Sequence, residues 1–325
     1  MNFARRQFLR AAAAIAAMPA PPRFACAQSY PARPVRILVG LPAGGAPDMF
    51  ARLVAGWLSD HFGQPFVVDN RPGASGNIAT ELLVRAAPDG YTLLMVIAPN
   101  VINPALYPDL KFNFIRDTTP VAGIGGSPFV MVVNPAIEAR TVPEFIAYAK
   151  AHPGKLNIGS TGVGNLTHMA AELFKMMAGV DLLHVPYRGE AAVQADLLGG
   201  RVQVMFDPVP AALGYIRGGR LRALAVTADK PMELLPGVPA MTHYLPGYEV
   251  TGMTGIVGPR GLSPAVVATL NTAINACLAD AGIAARFKQT GSVTMAESPA
   301  DFGNFLVAET AKWARVIKFA GIKAE

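Results

Sequence analysis

One pattern recurs along this chain and constrains its fold more than any other. A short apolar run ends in a loop broken by Gly, Pro or Asn, and the loop opens into apolar residues at helical spacing. Val35–Leu41 is such a run, and Pro42-Ala43-Gly44-Gly45-Ala46-Pro47-Asp48 breaks it. Asp48 stands where a helix N-cap belongs, and Phe50, Leu53, Val54, Trp57 and Leu58 then predict a helix over Met49–Phe62. Phe66–Val68 is the next predicted strand, ended by Asp69–Gly76. A helix is expected to about Ala87, and after the turn Pro88-Asp89-Gly90 the run Tyr91–Ile97 is a third strand. Successive β-α-β units imply a mostly parallel sheet with helices on both faces.

After a looser stretch the pattern starts again. Phe129–Val133, Leu156–Gly159, Leu182–Pro186, Val202–Phe206 and Leu221–Thr227 read as strands. Helices are predicted over Thr141–His152, Leu166–Ala178 and Glu190–Leu198. Val250–Val257 gives one more strand, and the helices Pro264–Ala281, Ala284–Gln289 and Pro299–Phe319 have no strand after them. Two β-α sets predict two α/β lobes, which a length of 325 residues accommodates. The simplest topology puts residues 28–124 and 252–325 in lobe 1 and residues 125–251 in lobe 2. Two crossings, near residues 125 and 252, then make a hinge with a cleft between the lobes.

With 52% hydrophobic and 15% charged residues the chain can bury a core and does not read as disordered. Its formal charge of +6 is concentrated at one end: residues 1–27 hold Arg5, Arg6, Arg10 and Arg23 and no acid. Without those four charges the rest carries only +2, and a nucleic-acid partner loses its main support. The basic start, the short apolar stretch Ala11–Met18 and Ala25-Cys26-Ala27 before Gln28 predict an export signal with an A-x-A cleavage site. Arg5-Arg6-Gln7-Phe8-Leu9-Arg10 is similar to a twin-arginine signal, with Sec export as the alternative; both lead to the periplasm. Arg23-Phe24-Ala25 is a poor lipobox for Cys26. Loss of Cys26 with the signal leaves Cys277 alone, expected as a buried small hydrophobe. The stretch Ala11–Met18 is too short to span a bilayer and no later segment has 18 uninterrupted apolar residues, so no membrane span is expected.

In open parallel sheets ligands sit outside the C-terminal strand ends. The loops there are Pro42–Asp48, Asn70–Gly76, Ser160–Asn165, Tyr187–Gly189 and Asp207–Pro208. Several open straight into helices, whose N-termini offer unpaired N–H groups and about half a positive charge, so they bind anions without a basic side chain. Gly44, Gly45, Gly162 and Gly164 would let a ligand approach the backbone. Enzyme motifs fail. Ser160 is not in G-x-S-x-G because Ile158 holds the first Gly position, and no dinucleotide or P-loop motif is present. The histidines at positions 61, 152, 168, 184 and 243 include no H-x-x-x-H pair, so neither metal nor cofactor is expected. His168 reads equally as a ligand contact or a packing residue, and Arg188 as a ligand contact or a solvated loop arginine.

The loops also carry a family pattern. Its motifs are Tyr30-Pro31-x-Arg33-Pro34-Val35, Pro42-Ala43-Gly44-Gly45-x-x-Asp48, Asn70-Arg71-Pro72-Gly73-Ala74-x-Gly76 and Pro88-Asp89-Gly90-Tyr91-Thr92-Leu93. They continue with Gly159-Ser160-x-Gly162-x-Gly164, Val185-Pro186-Tyr187-Arg188-Gly189, Asp196-Leu197-Leu198-Gly199-Gly200 and Leu221–Thr227. In this order and spacing the chain resembles the substrate-binding proteins of tripartite tricarboxylate transporters, the Bug/TctC family. The resemblance implies a two-lobed periplasmic binding protein of Venus-flytrap, type II-like architecture. It implies a monomer that hands a small carboxylate (a di- or tricarboxylate, an acidic amino acid or a related acid) to membrane permease subunits. Carried across, the ligand contacts fall on Ala43, Gly44, Gly45, Asp48 and Ser75 in lobe 1. In lobe 2 they fall on Ser160, Thr161, Gly162, Asn165, His168, Tyr187, Arg188 and Asp207. Arg188 stands where the family usually has Lys, and Asn165 where a small residue is usual. Two other readings stay open: an exported α/β hydrolase, which lacks a recognisable nucleophile elbow, and a ligand-sensing subunit of a signalling system.

Overall fold

The computed structural model describes residues 30–323. The expected export signal, Cys26 and the cleavage point before Gln28 lie outside the described residues. The chain begins with β1 (Val35–Val39), α1 (Ala46–Phe62), β2 (Phe66–Asn70), α2 (Asn77–Val84) and β3 (Thr92–Val96). β1 runs parallel to both β2 and β3. Val35, Ile37, Leu38 and Val39 are fully buried, so the strand reads as a near-continuous apolar run with helices over both faces. Then follow α3 (Ala98–Leu106), the short α4 (Phe114–Asp117) and β4 (Thr118–Gly126).

The second set is β5 (Phe129–Val133), α5 (Val142–Ala151), β6 (Asn157–Ser160), α6 (Leu166–Ala178), β7 (Leu183–Pro186), α7 (Glu190–Leu198), β8 (Val204–Pro208), α8 (Val209–Arg217) and β9 (Arg222–Val226). The chain ends with β10 (Thr254–Pro259), α9 (Pro264–Ala279), α10 (Ala281–Gln289), β11 (Val293–Thr294) and α11 (Pro299–Ala320). These strands make two sheets, one of six strands in the order β11-β4-β10-β3-β1-β2 and one of five in the order β7-β6-β8-β5-β9. Both sheets are mixed. β10 is antiparallel to β3 and β4, and β5 to β8 and β9. Each of these two strands enters from the other sheet, β5 after only two residues and β10 through the segment 227–253, in which Met241–His243 form a single 3-10 turn.

The passages between sheets are Ser127–Pro128 and the segment 250–253. They lie side by side: Pro128 bridges Thr251 in antiparallel fashion, and Gly252 N–H donates to the Ser127 carbonyl at 2.9 Å. A Cβ on Gly126 would sit 1.2 Å from the Gly252 carbonyl oxygen, and one on Gly125 would sit 2.1 Å from that of Val293. This close backbone contact explains the glycines of β4. The same glycines, with Pro120, make β4 read as a loose connection in the sequence.

α11 packs on α3, β4 and α6, and so touches both sheets' layers. One buried cluster runs from Leu94, Val96 and Val101 through Leu306, Trp313 and Val316 of α11 to Met169, Phe174, Phe206 and Tyr248. Each such large side chain contributes ~1.5–3 kcal/mol when fully buried. Separate clusters fill the far face of each lobe. Cys277 is buried in the first of them, and burial pushes its thiol up to about 12.

Candidate functional site

The lobe 1 loops end β1 and β2. α1 starts one turn earlier than its sequence suggests: Gly45, not Asp48, is the N-cap, and Pro47 occupies the first turn with its φ already set for a helix. Asp48 therefore faces back onto the loop. Its Oδ2 accepts from Gly44 N–H at 2.9 Å and from Arg52 Nε at 3.0 Å, and its Oδ1 accepts from Asn70 Nδ2 at 2.9 Å. Arg52 also donates to Asn70 Oδ1 at 2.9 Å. The Arg52 guanidinium, helped by Gly44 N–H and Asn70, holds the Asp48 carboxyl down at about 2 although burial opposes this. Asp48 is thus a buried, charge-compensated tie for the 43–48 loop. The second loop comes against the first where Gly40 meets Gly76, since a Cβ on Gly40 would lie 2.8 Å from Gly76 Cα. Ser75 is exposed, with φ 53° and ψ 38°, and its carbonyl accepts from Asn103 Nδ2 at 3.0 Å.

In lobe 2 the loop after β6 folds on itself. Thr161 N–H donates to Thr167 Oγ1 at 2.9 Å, and Asn165 Nδ2 donates to the Thr161 carbonyl at 3.0 Å. Gly162 carries φ +138°, and a Cβ there would meet Asn165 Nδ2 at 2.9 Å. Tyr187 N–H donates to the Ser160 carbonyl at 2.9 Å, which brings the loop after β7 alongside. Ser160, Thr161, Gly162, Asn165 and Tyr187 are therefore one cluster. The Tyr187 hydroxyl donates to Asp196 Oδ2 at 2.7 Å, and burial with this carboxylate pushes the phenol up to about 12. Arg188 stands exposed at the start of the turn into α7.

Ser160 and His168 are turned away from solvent. Ser160 is fully buried, with Oγ 2.6 Å from His184 Nε2. His168 is 4% exposed; its Nδ1 accepts from Gly164 N–H at 3.1 Å, and its ring stacks on His184 with centroids 3.7 Å apart. Both histidines line a side cavity of about 570 Å³, bounded also by Glu172, Lys175, Leu183 and Ile322. Asp207 is also fully buried, at the end of β8. Its Oδ2 accepts from Gln194 Nε2 at 3.0 Å, and its Oδ1 has no partner among the described residues. Burial and the nearby Glu190 carboxylate push Asp207 up to about 7. Gln194, Glu190 and His184 were not singled out from the sequence as site residues. They stand 13, 17 and 24 positions from their partners, and only strand pairing and helix packing bring them together.

Two helices begin at these loops with their first-turn N–H groups (Ala46 and Asp48 in α1, where Pro47 has none, and Leu166–His168 in α6) unpaired among the described residues. The first intrahelical bond is Met49 N–H to Gly45 in α1, at 3.0 Å, and Met169 N–H to Asn165 in α6, at 2.9 Å. Lobe 2 meets lobe 1 beside them. A Cβ on Gly164 would lie 2.7 Å from Leu106 of α3, and one on Gly291 would lie 3.0 Å from Leu234. Among the described residues no three His, Cys, Asp or Glu side chains group as metal ligands.

The sequence profile of the tripartite tricarboxylate transporter family receptor matches residues 50–322. The chain belongs to this receptor family. BugT of Bordetella pertussis is 34% identical over 300 residues, covering 91% of this chain and 92% of BugT. A solved structure of R. palustris Rpa4515 with adipate is 35% identical, with a TM-score of 0.76, covering 90% of this chain and 99% of that one. MatC from Rhodopseudomonas palustris, with bound malate, is 28% identical with a TM-score of 0.72, covering 89% and 100%. Members of this receptor family are periplasmic solute-binding proteins of two-lobed fold, and the chain is a solute receptor rather than an enzyme.

Proposed function

We propose that this receptor captures a small di- or tricarboxylate, or a related organic acid, between its lobes in the periplasm. It then delivers the ligand to the membrane permease subunits of a tripartite tricarboxylate transporter. The observation that carries this reading is the pair of loops at 43–48 and 160–165, each at a strand end and each opening into a helix whose first N–H groups lack helical partners. Such ends attract anions, and Asp48 at the start of α1 is paired with Arg52. The adipate and malate bound by relatives support a dicarboxylate.

In this reading Ala43, Gly44, Gly45, Ser75, Thr161, Gly162 and Asn165 meet the ligand directly, largely through backbone groups. Arg188 adds a planar two-pronged donor. Asp48, Ser160, His168, Tyr187 and Asp207 shape the loops from behind. A thermal-shift screen against adipate, malate, citrate, aspartate and benzoate tests it, with adipamide as the uncharged control. A ligand at 100 times its dissociation constant adds ~2.7 kcal/mol of stability. No shift with any acid, or an equal shift with adipamide, would rule the reading out.

A further inference from the structure

The side cavity behind the 160–165 loop holds two imidazoles that the ligand site does not use directly. His168, on the first turn of α6, accepts the Gly164 N–H on Nδ1 at 3.1 Å. His184, on β7, meets Ser160 Oγ with Nε2 at 2.6 Å. The two bonds fasten the loop near both ends, and the rings that make them lie face to face, 3.7 Å apart and 8° from parallel. We propose that His168 and His184 are positioning residues that clamp the 160–165 loop in its binding shape only while both rings are neutral, so that acidification loosens the loop.

The geometry sets the protonation requirement. An N–H donor can meet Nδ1 of His168 only if that nitrogen carries no proton, which places the ring proton on Nε2, facing Glu172 Oε1 at 3.6 Å. A second proton taken from solvent must go to Nδ1. It displaces the Gly164 N–H, and Glu172 supplies the counter-charge. A proton on His184 sets a cation against the face of the His168 ring. Burial, and then the His168 charge, push His184 down to about 4, so its neutral form prevails at neutral pH. The other charged groups around the pair are Lys175, which donates to Glu172 Oε1 at 2.9 Å, Asp181 before β7, and Lys323 of the C-terminal segment. On Glu172 burial acts upward, but the bonds from His168 and Lys175 outweigh it and keep the carboxylate ionised.

That the loop holds a ligand rests on the reading above; the clamp does not. The test is a titration of the ¹⁵N-labelled full chain from about pH 8 to about pH 4, following the imidazole nitrogens and the hydrogen exchange of the Gly164 amide. The expected result is an unprotonated His168 Nδ1 at the upper end. As that nitrogen takes a proton, Gly164 exchange should rise about tenfold beyond its intrinsic pH dependence. Glu172→Gln, which removes the counter-charge, should move both changes together to lower pH. A Gly164 amide whose protection ignores the His168 titration, or a His168 that carries its proton on Nδ1 at pH 8, overturns the proposal. A chain that shows the Gly164 transition but binds none of the screened acids keeps the clamp and sinks the ligand reading instead.

Discussion

Asp48 and Asp207 take the same carboxyl group into opposite environments. Asp48 has three donors on its two oxygens and stays ionised down to about 2. Among the described residues Asp207 has one donor and an oxygen with no partner, and it holds its proton up to about 7. The consequences for stability have opposite sign. Asp48 adds stability above its ordinary value of 3.8, and this is lost as the pH falls toward 2. Between 3.8 and about 7 the native Asp207 keeps a proton that the unfolded chain has released, so its contribution becomes unfavourable as the pH rises and is fully so above 7. Asp207→Asn is therefore expected to raise stability by ~1–3 kcal/mol at pH 8 and to leave it little changed below pH 4, read by urea melts at both values. The loops proposed to hold the ligand give a second residue-level expectation. Gly44 has φ +95°, so Gly44→Asp strains the backbone and sets an anion at the helix start. Calorimetry with whichever acid the screen selects should find binding abolished. Arg188→Ala should weaken binding less completely, by ~1.5–3 kcal/mol, because the loop amides remain. The reverse order would mean that one guanidinium, not the helix ends, holds the ligand.

Among the elements, the strands and helices that position the site differ in how clearly their sequences announce them. β1, β3 and β5 are apolar runs because both faces of each strand are covered. α6 runs over Leu166–Ala178 as its spacing predicts, between an Asn N-cap and Gly179 in the left-handed conformation. β4 is hidden by the residues that its packing requires. α3 is hidden by Pro99 and Pro104, which interrupt a helical pattern, yet Pro99 falls in the first turn where its missing N–H costs nothing. α8 starts directly at the end of β8 and leaves no loop to mark it. The β4 glycines make a sharp prediction. Gly126→Ala would drive a methyl group into the Gly252 carbonyl, which is backbone and cannot swing aside. A loss of ~3 kcal/mol or more is expected in denaturant melts. A variant as stable as the parent would mean that the two passages between the sheets are not packed this closely.

For the whole molecule the decisive element is α11. It carries Trp313 into a cluster shared by residues of both sheets' layers, and Tyr248 of the second lobe donates its hydroxyl to the Ala170 carbonyl within that cluster at 2.9 Å. A shared apolar interface restrains relative motion of two lobes. The adjacent passages at 127–128 and 250–253 are where a hinge is expected. Ligand binding is therefore expected to reduce the radius of gyration slightly, as measured by solution scattering, and an unchanged value at saturation would indicate rigid lobes. Trp313→Ala should cost ~3–5 kcal/mol and enlarge the radius of the unliganded protein. A variant with the stability loss but an unchanged radius would show that the tryptophan fills the core without tying the lobes.

The sequence by itself determined the βα repeat, the two sets of strands and the Gly-rich strand-end loops. Each is a local matter of apolar spacing and turn chemistry, carried within some fifteen residues of chain. The motifs of those loops also placed the chain in its family. What each loop residue does was settled by residues far along the chain. β6 and β7 run in parallel register with Ser160 opposite Pro186, so His184 lies diagonally beside Ser160, and α6 lays His168 on its ring. Arg52 and Asn70 hold Asp48 ionised, and burial together with the Glu190 carboxylate keeps the proton on Asp207. A carboxyl or an imidazole has no fixed role in the sequence. Its protonation and its partners follow from how much water it loses and which donors the packed elements bring to it.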